Sequence, residues 1–328
     1  MTHQAAPLPL LPLFHHPDYV APLPAGHSFP MTKYGWLPQV LAEAGQAVQI
    51  ITPQPAPPAW AEAVHDPDYV AAVLAARVDP ARERRIGFPV TPEVARRTLA
   101  VAGGTYAAAC HALAHGWAAN GAGGSHHALP DGGAGYCVTN DLAIAAQQLV
   151  AEGRVGRILI VDLDVHQGDG TALIFAGRAD VLCFSMHAAR NFPVRKARGF
   201  RDVELPDGLG DADYLATLAD ELPPLLDRHR PDLILFQAGV DPHADDRLGR
   251  LALSDDGLLA RDAYVVAEAR ARGITVAATL GGGYGTCARA IARRHAAGLI
   301  AQWRAARAGE SAAAAVSPVH DHARPRSG

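Results

Sequence analysis

The chain has 328 residues, 49% hydrophobic and 19% charged, a balance that supports a large buried core and excludes a disordered polymer. Its formal net charge of −4, with no run of Lys and Arg, leaves no electrostatic footprint for a nucleic acid partner. The four cysteines (Cys110, Cys137, Cys183, Cys287) are far apart and form no Cys-x-x-Cys pair, which argues against a disulfide framework or a thiolate metal site and for a reducing compartment.

Met1 to Ala6 has no basic n-region, and the apolar stretch behind it is broken by Pro7, Pro9 and Pro12, so no signal peptide is expected. No window offers the roughly 20 uninterrupted apolar residues of a membrane span, and the expected location is cytoplasmic with no membrane partner. Ala47–Thr52 reads as the first clear strand, followed by a Pro-rich loop over Pro53–Pro58. Thr91-Pro92-Glu93 starts a helix, with a cap residue and Pro in its first turn. Asn140 or Asp141 begins another that stops at Gly153. Further strands are expected at Arg157–Asp162, Val181–Met186, Leu233–Gln237 and Ile274–Thr279, with a loop over Leu205–Asp211 and a helix from Ser254 to Gly273. These strands are nearly continuous in Val, Ile and Leu, as strands covered on both faces should be.

Strand–helix–strand alternation predicts a single α/β domain, with a central, mostly parallel sheet and helices on both faces. In such sheets ligands bind beyond the carboxyl ends of the strands. The domain is expected over residues 1–308. Residues 309–328, with His320 and His322, read as a disordered, solvated tail.

Four motifs sit at or just after strand ends. Ile158 to Val161 run into Asp162, Asp164 and His166, spaced two apart, and then a Gly-rich turn. On an extended chain alternate residues share a face, so these three side chains are expected to point one way, and two of them with one further carboxylate would make an open three-ligand metal site. Gly123-Gly124-Ser125-His126-His127-Ala128, with Gly135, Tyr136 and Cys137 shortly after, puts two adjacent imidazoles in a flexible loop, suited to acid–base chemistry near neutral pH. Gln237-Ala238-Gly239-Val240-Asp241 offers Asp241 as the third ligand, with His243, Asp245 and Asp246 as rivals on spacing. Gly281-Gly282-Gly283-Tyr284 lets the backbone turn sharply and presents a phenol at a fixed place. No helix-opening G-x-G-x-x-G follows, which excludes a dinucleotide fingerprint.

Together and in this order, Gly-Gly-x-His-His-Ala, Asp-Leu-Asp-x-His-x-Gly-Asp-Gly, Gln-x-Gly-x-Asp and Gly-Gly-Gly-Tyr resemble the histone deacetylase family of the arginase/deacetylase superfamily. The resemblance runs from roughly His15 to near Ala308. The segments His27 to Tyr34, Asn191-Phe192-Pro193, Leu205-Pro206-Asp207-Gly208 and Asp246-Arg247-Leu248-Gly249 are most similar to bacterial members close to class IV. A two-manganese arginase is disfavoured, because Gln167 and Gly168 follow His166 where its pattern needs Asp-x-His-x-Asp.

The resemblance implies that Asp164, His166 and Asp241 hold a zinc ion, while Asp162 orients His126 and Asp169 orients His127. His127 would be the principal base and then acid, with His126 mainly electrostatic, and Tyr284 would donate to the developing oxyanion. Tyr136 and Leu248, with Gly135 and Gly282, would contact substrate along a narrow tunnel. A potassium ion would sit beneath the zinc, on backbone carbonyls of the stretch bearing Asp162, Asp164 and His166 and on the Ser185 hydroxyl. The implied activity is a deacetylase or deacylase of lysine side chains or related amines. A small-amide or acetylpolyamine deacetylase and a non-catalytic acyl-lysine-binding or metal-binding module are the alternatives. Peptide-acting relatives carry an Asp before the Pro of a rim loop; here the stretch reads Gly87-Phe88-Pro89, which puts a tight peptide clamp in question. Leu248 likewise stands where an acetylpolyamine enzyme would favour an acid.

Overall fold

Aliphatic runs in this chain become parallel strands whose two faces are both covered. The structure, a computed structural model, describes residues 10–308; the N-terminal Met1–Ala6 and the expected tail lie outside them. Among the described residues the strands are β1 (Leu11–Phe14), β2 (Val48–Ile51), β3 (Trp117–Asn120), β4 (Ile158–Asp162), β5 (Val181–Ala188), β6 (Arg201–Leu205), β7 (Leu233–Gln237) and β8 (Thr275–Thr279). They form one sheet in the order β2-β1-β3-β8-β7-β4-β5-β6, and every pairing is parallel.

Alternation along the strands divides the core in two. Ile158, Ile160, Leu233 and Leu235 pack with Ala108, Leu142 and Leu149 from the helices Pro92–His115 and Asp141–Ala151. Leu159, Val161, Ile234 and Phe236 share a second cluster with Leu218, Val265, Leu299 and Trp303, from the helices Asp211–His229, Asp255–Ala271 and Ala288–Ala306. Each fully buried aliphatic side chain contributes about 1.5–3 kcal/mol, so the middle of the sheet is the most strongly held part of the molecule. Helix starts follow the caps expected from sequence: Thr91 Oγ1 accepts from Val94 N–H, Asn140 Oδ1 from Ala143 N–H and Ser254 Oγ from Gly257 N–H.

Three strands escape the sequence reading. β1 contains Pro12, which lacks a ladder donor; β3 is Trp-Ala-Ala-Asn, with little intrinsic strand preference; β6 is a charged edge strand. One expectation is corrected. Ala47–Thr52 does contain a strand, but β2 is an edge with Ile50 half exposed, not a strand covered on both faces. Among the described residues no helix is long and apolar enough to cross a membrane.

His65 ties this frame to the loop that carries the adjacent histidines. Its Nδ1–H donates to Leu129 O (2.8 Å) and its Nε2 accepts from Asn140 N–H (2.9 Å), so the buried ring must be neutral. Burial pushes its pKa down to about 4, against a hydrogen bond to Leu129 that acts the other way. The unfolded chain therefore takes up this proton first as pH falls, and stability present above pH ~6.5 is lost progressively toward pH ~4. By pH 5 the loss from this group should reach about 2 kcal/mol. Urea unfolding at pH 7.5 and pH 5 checks this: His65→Gln should lose less stability over that interval than the native chain, and equal losses would contradict it.

Candidate active site

The four motifs lie at the carboxyl ends of β3, β8, β7 and β4, four neighbours in the middle of the sheet. The parallel register puts Asp162 beside Gln237 and Gln237 beside Thr279, so the loops after these strands leave the sheet at one level and meet.

The first is bent by its own carboxylates. Asp162 Oδ1 accepts from Asp164 N–H (3.2 Å) and Asp164 Oδ1 accepts from His166 N–H (3.0 Å), the local bonding by which Asp turns a chain. β4 ends at Asp162. The three residues thus do not share one face of an extended strand, as the spacing suggests; Asp162 turns to His126, while Asp164 and His166 turn toward Asp241.

Asp164, His166 and Asp241 are buried, and one ligand atom from each lies within 4.8 Å of the others. His166 Nδ1 is 2.9 Å from Asp164 Oδ1 and 3.2 Å from Asp241 Oδ2. Other donors are already assigned: Gly282 N–H and Gln237 Nε2 donate to Asp164 Oδ2 (2.8 Å each), and Val165 N–H donates to Asp241 Oδ1 (2.9 Å). Asp241 Oδ2 is buried without a hydrogen bond. Burial and the neighbouring Asp164 push the Asp241 carboxyl up to about 7. Two carboxylates and an imidazole converging in a dry site, with one carboxylate oxygen orphaned, fit a bound divalent cation. The rivals do not join them. His243 faces Asp245 and Asp255, Asp245 pairs with Arg294, and Asp246 accepts backbone N–H groups.

The histidine pair sits beside this cluster. His126 Nδ1–H donates to Asp162 Oδ2 (2.6 Å) and His127 Nδ1–H to Asp169 Oδ1 (2.7 Å). The rings are 4.0 Å apart, and His126 Nε2 is 3.8 Å from Asp164 Oδ1. Burial disfavours a charge on both, but the two outcomes differ. For His126 the burial effect is outweighed by Asp162 and then Asp164, which raise it to about 9. For His127, burial and the positive charge of His126 prevail and lower it to about 4, despite Asp169.

Tight backbone crossings fix these loops. Gly124 has φ +82°, and a Cβ there would stand 2.7 Å from Gly281 Cα. A Cβ on Gly282 would collide with Asp241 Oδ2, and one on Gly239 with Asp164 Oδ2, so the acid cluster is cradled by glycine. Tyr284 is clamped through its backbone, with N–H to Asp246 Oδ2 (2.6 Å) and O from Arg247 N–H (3.2 Å). Its phenol is held well above its ordinary pKa by burial, then by Asp164 and Asp241, so it stays a proton donor.

A tunnel of about 310 Å3 leads in past Gly135, Tyr136, Phe192 and Leu248 to His127, His166 and Tyr284. Phe88 stacks on Tyr136, and Phe29 packs against it. Ser185 is buried opposite Asp162 in the β4–β5 register, with Oγ 3.0 Å from His187 Nδ1.

Several supports carry no signature in the sequence. The Asp141 carboxylate accepts from Gly124 N–H, Ser125 N–H and Thr105 Oγ1. Fully buried Lys33 donates to the carbonyls of Gly281 and Gly283, and buried Arg261 donates to those of Leu163 and Gly239.

The family model of the histone deacetylase domain matches residues 27–325, and the chain belongs to the histone deacetylase family. An uncharacterized protein of Picosynechococcus is 48% identical over 87% of this chain and 95% of its own. The histone deacetylase-like amidohydrolase of Pseudomonas aeruginosa is 36% identical over 48% of this chain and 45% of its own, so the match spans about half of that relative. The crystal structure of the HDA15 HD domain superposes with a TM-score of 0.74 over 92% of both chains at 22% identity, a likeness of fold.

Chelator-stripped and dialysed protein should take up close to one divalent ion per chain, measured by elemental analysis. Asp241→Asn should weaken uptake by more than about tenfold, the loss that orienting partners alone can cause. Unchanged affinity in that variant would remove Asp241 from the ligand set.

Proposed function

We propose that this chain is a metal-dependent amidohydrolase that removes an acyl group from an acylated lysine side chain or a related amine. The observation that carries the reading is the convergence, at the base of one tunnel, of a buried Asp-His-Asp cluster, two carboxylate-paired histidines and a protonated phenol. Family membership supports it, as do the names of relatives such as the Pseudomonas amidohydrolase. Asp164, His166 and Asp241 would hold a zinc ion, whose donor preferences they match, and the ion would supply Lewis acidity toward a carbonyl and toward water.

The remaining chemistry belongs to the chain. His127, uncharged near neutral pH, takes the proton of the attacking water and returns it to the departing amine, with Asp169 keeping its ring oriented. His126, held cationic by Asp162 and Asp164, stabilises negative charge growing beside it. Tyr284 donates its hydroxyl to the carbonyl oxygen as that becomes an oxyanion. One water and one amide give one carboxylate and one amine.

A second space below the tunnel, bounded by Phe29, Tyr34, Arg97 and Gly124, has about 20 Å3, room for one water-sized group. Buried Ser185, beside Asp162, supports the potassium site the family resemblance implies.

With zinc supplied and an acetyl-lysine peptide as substrate, His127→Ala should lower kcat by about 10²–10⁴ and Tyr284→Phe by about 10²–10³. Both variants should keep their metal, measured in the same samples. Activity retained by Tyr284→Phe would contradict the oxyanion role. A native chain that binds zinc but hydrolyses neither acetyl-lysine peptides nor acetylated small amines would contradict the whole reading.

A further inference from the structure

The mouth of the tunnel has an unusual charge arrangement. Of the side chains that line it, Arg85 is the one that is permanently charged, and none is a carboxylate. Arg85 is brought there by main-chain bonds: Gly135 N–H donates to Arg85 O (3.1 Å) and Tyr136 N–H to Ile86 O (2.7 Å), which dock the end of the helix Pro80–Ile86 on the tunnel wall.

A carboxylate cannot take the next position. Gly87 closes that helix at φ +103°, and a Cβ there would stand 2.8 Å from the Tyr136 ring. Any acidic side chain at 87 would therefore displace the aromatic wall. The nearby acids are committed elsewhere. Asp246, two residues before Leu248, spends its oxygens on the backbone N–H groups of Tyr284, Leu248 and Gly249. Asp131 lies 3.6 Å from Arg85, but it is 72% exposed and Arg85 43% exposed, so the pair sits in water and is weak.

More positive charge adjoins the mouth. Arg84, Arg190 and Arg247 are exposed neighbours in the chain of Arg85, Asn191 and Leu248, and among the described residues none has a carboxylate at ion-pair distance. In a chain of net charge −4, these four arginines outnumber the two nearby carboxylates, Asp131 and Asp246, around an opening lined by no acid, an excess that would steer anions and repel cations.

From the Arg85-bearing rim, whose lining holds no carboxylate, we infer that the substrate is an acylated amine with a carboxylate close to the acylated side chain, and that Arg85 receives that carboxylate in place of its weak, exposed pairing with Asp131. The inference deepens the proposed function and rests on it. The carboxylate has two sources, an acidic residue flanking an acyl-lysine in a peptide or the free α-carboxylate of an acylated amino acid. Acetylpolyamines, which carry positive charge in its place, are disfavoured by the same argument.

The test is kcat/KM of the zinc-loaded full chain at low and high salt. The substrates are acetyl-lysine peptides flanked by Glu, Gln or Lys, and free Nε-acetyl-lysine beside its α-amide. Glu-flanked peptides, the free acid, or both should be favoured over their neutral counterparts by about three- to fivefold, the scale of one exposed ion pair. The preference should shrink as salt screens it. Arg85→Ala should remove most of the preference, and Arg85→Glu should turn it toward the Lys-flanked peptide. A preference confined to peptides or to the amino acid supports the inference and names the source. Turnover of all substrates without charge preference, or a preference unchanged in Arg85→Ala, would overturn the inference while leaving the deacylase reading intact. No turnover of any of them by protein that holds zinc would overturn both.

Discussion

Two buried carboxylates that cannot escape each other set the terms for the rest of this molecule. Asp164 and Asp241 come from the loops that follow adjacent strands, β4 and β7, and both are cut off from water. Unpaired charges in such a place cost several kcal/mol each, so the surrounding loops are built to supply donors. Gly282 N–H, Gln237 Nε2 and Val165 N–H serve three positions, and His166 faces both acids. The donors fall one short, at Asp241 Oδ2, and a cation would meet the acids from the side that remains.

That demand explains why the glycines are where they are. The acid cluster, the histidine loop and the Gly281–Tyr284 loop must approach backbone to backbone, and a single methyl at Gly124, Gly239 or Gly282 would push one of them away. It also explains Lys33. A fully buried ammonium is expensive, and burial lowers its pKa to about 8 against the opposing pull of Asp241, Asp164 and Asp246. In return it holds the carbonyls of Gly281 and Gly283, between the rings of Tyr34 and Tyr284. With Asp246 gripping the Tyr284 N–H from the other side, the phenol is placed by backbone bonds at both ends of its loop.

Inner and outer parts of the site are governed by different physics. At the base the charges are dry and their pairings dominate, splitting two adjacent histidines into one that favours the cationic ring and one that favours the neutral ring. At the rim, Leu248, Phe192 and Arg85 are exposed and electrostatics is screened. The base therefore decides what reaction is possible, and the rim has only modest energies with which to choose among substrates.

The sequence by itself determined the α/β class, the central strands and the four motifs whose side chains meet in the site, because aliphatic runs and chemically demanding side chains are both local signals. The four motifs could be read where they stand, and so could the caps at Thr91, Asn140 and Ser254. Asp241 could not be told from His243, Asp245 and Asp246 by spacing, since only the register of β7 against β4 and the fold of the following loop decide which of them reaches Asp164. The strands β1, β3 and β6 were invisible because their neighbours, and not their own preferences, make them strands. The supports at Lys33, His65, Asp141 and Arg261 were equally hidden: each acts across long stretches of chain, on backbone groups that any sequence would supply. What only the tertiary structure decided was which polar groups would be buried together, and that depends on packing between distant segments, which no local pattern records.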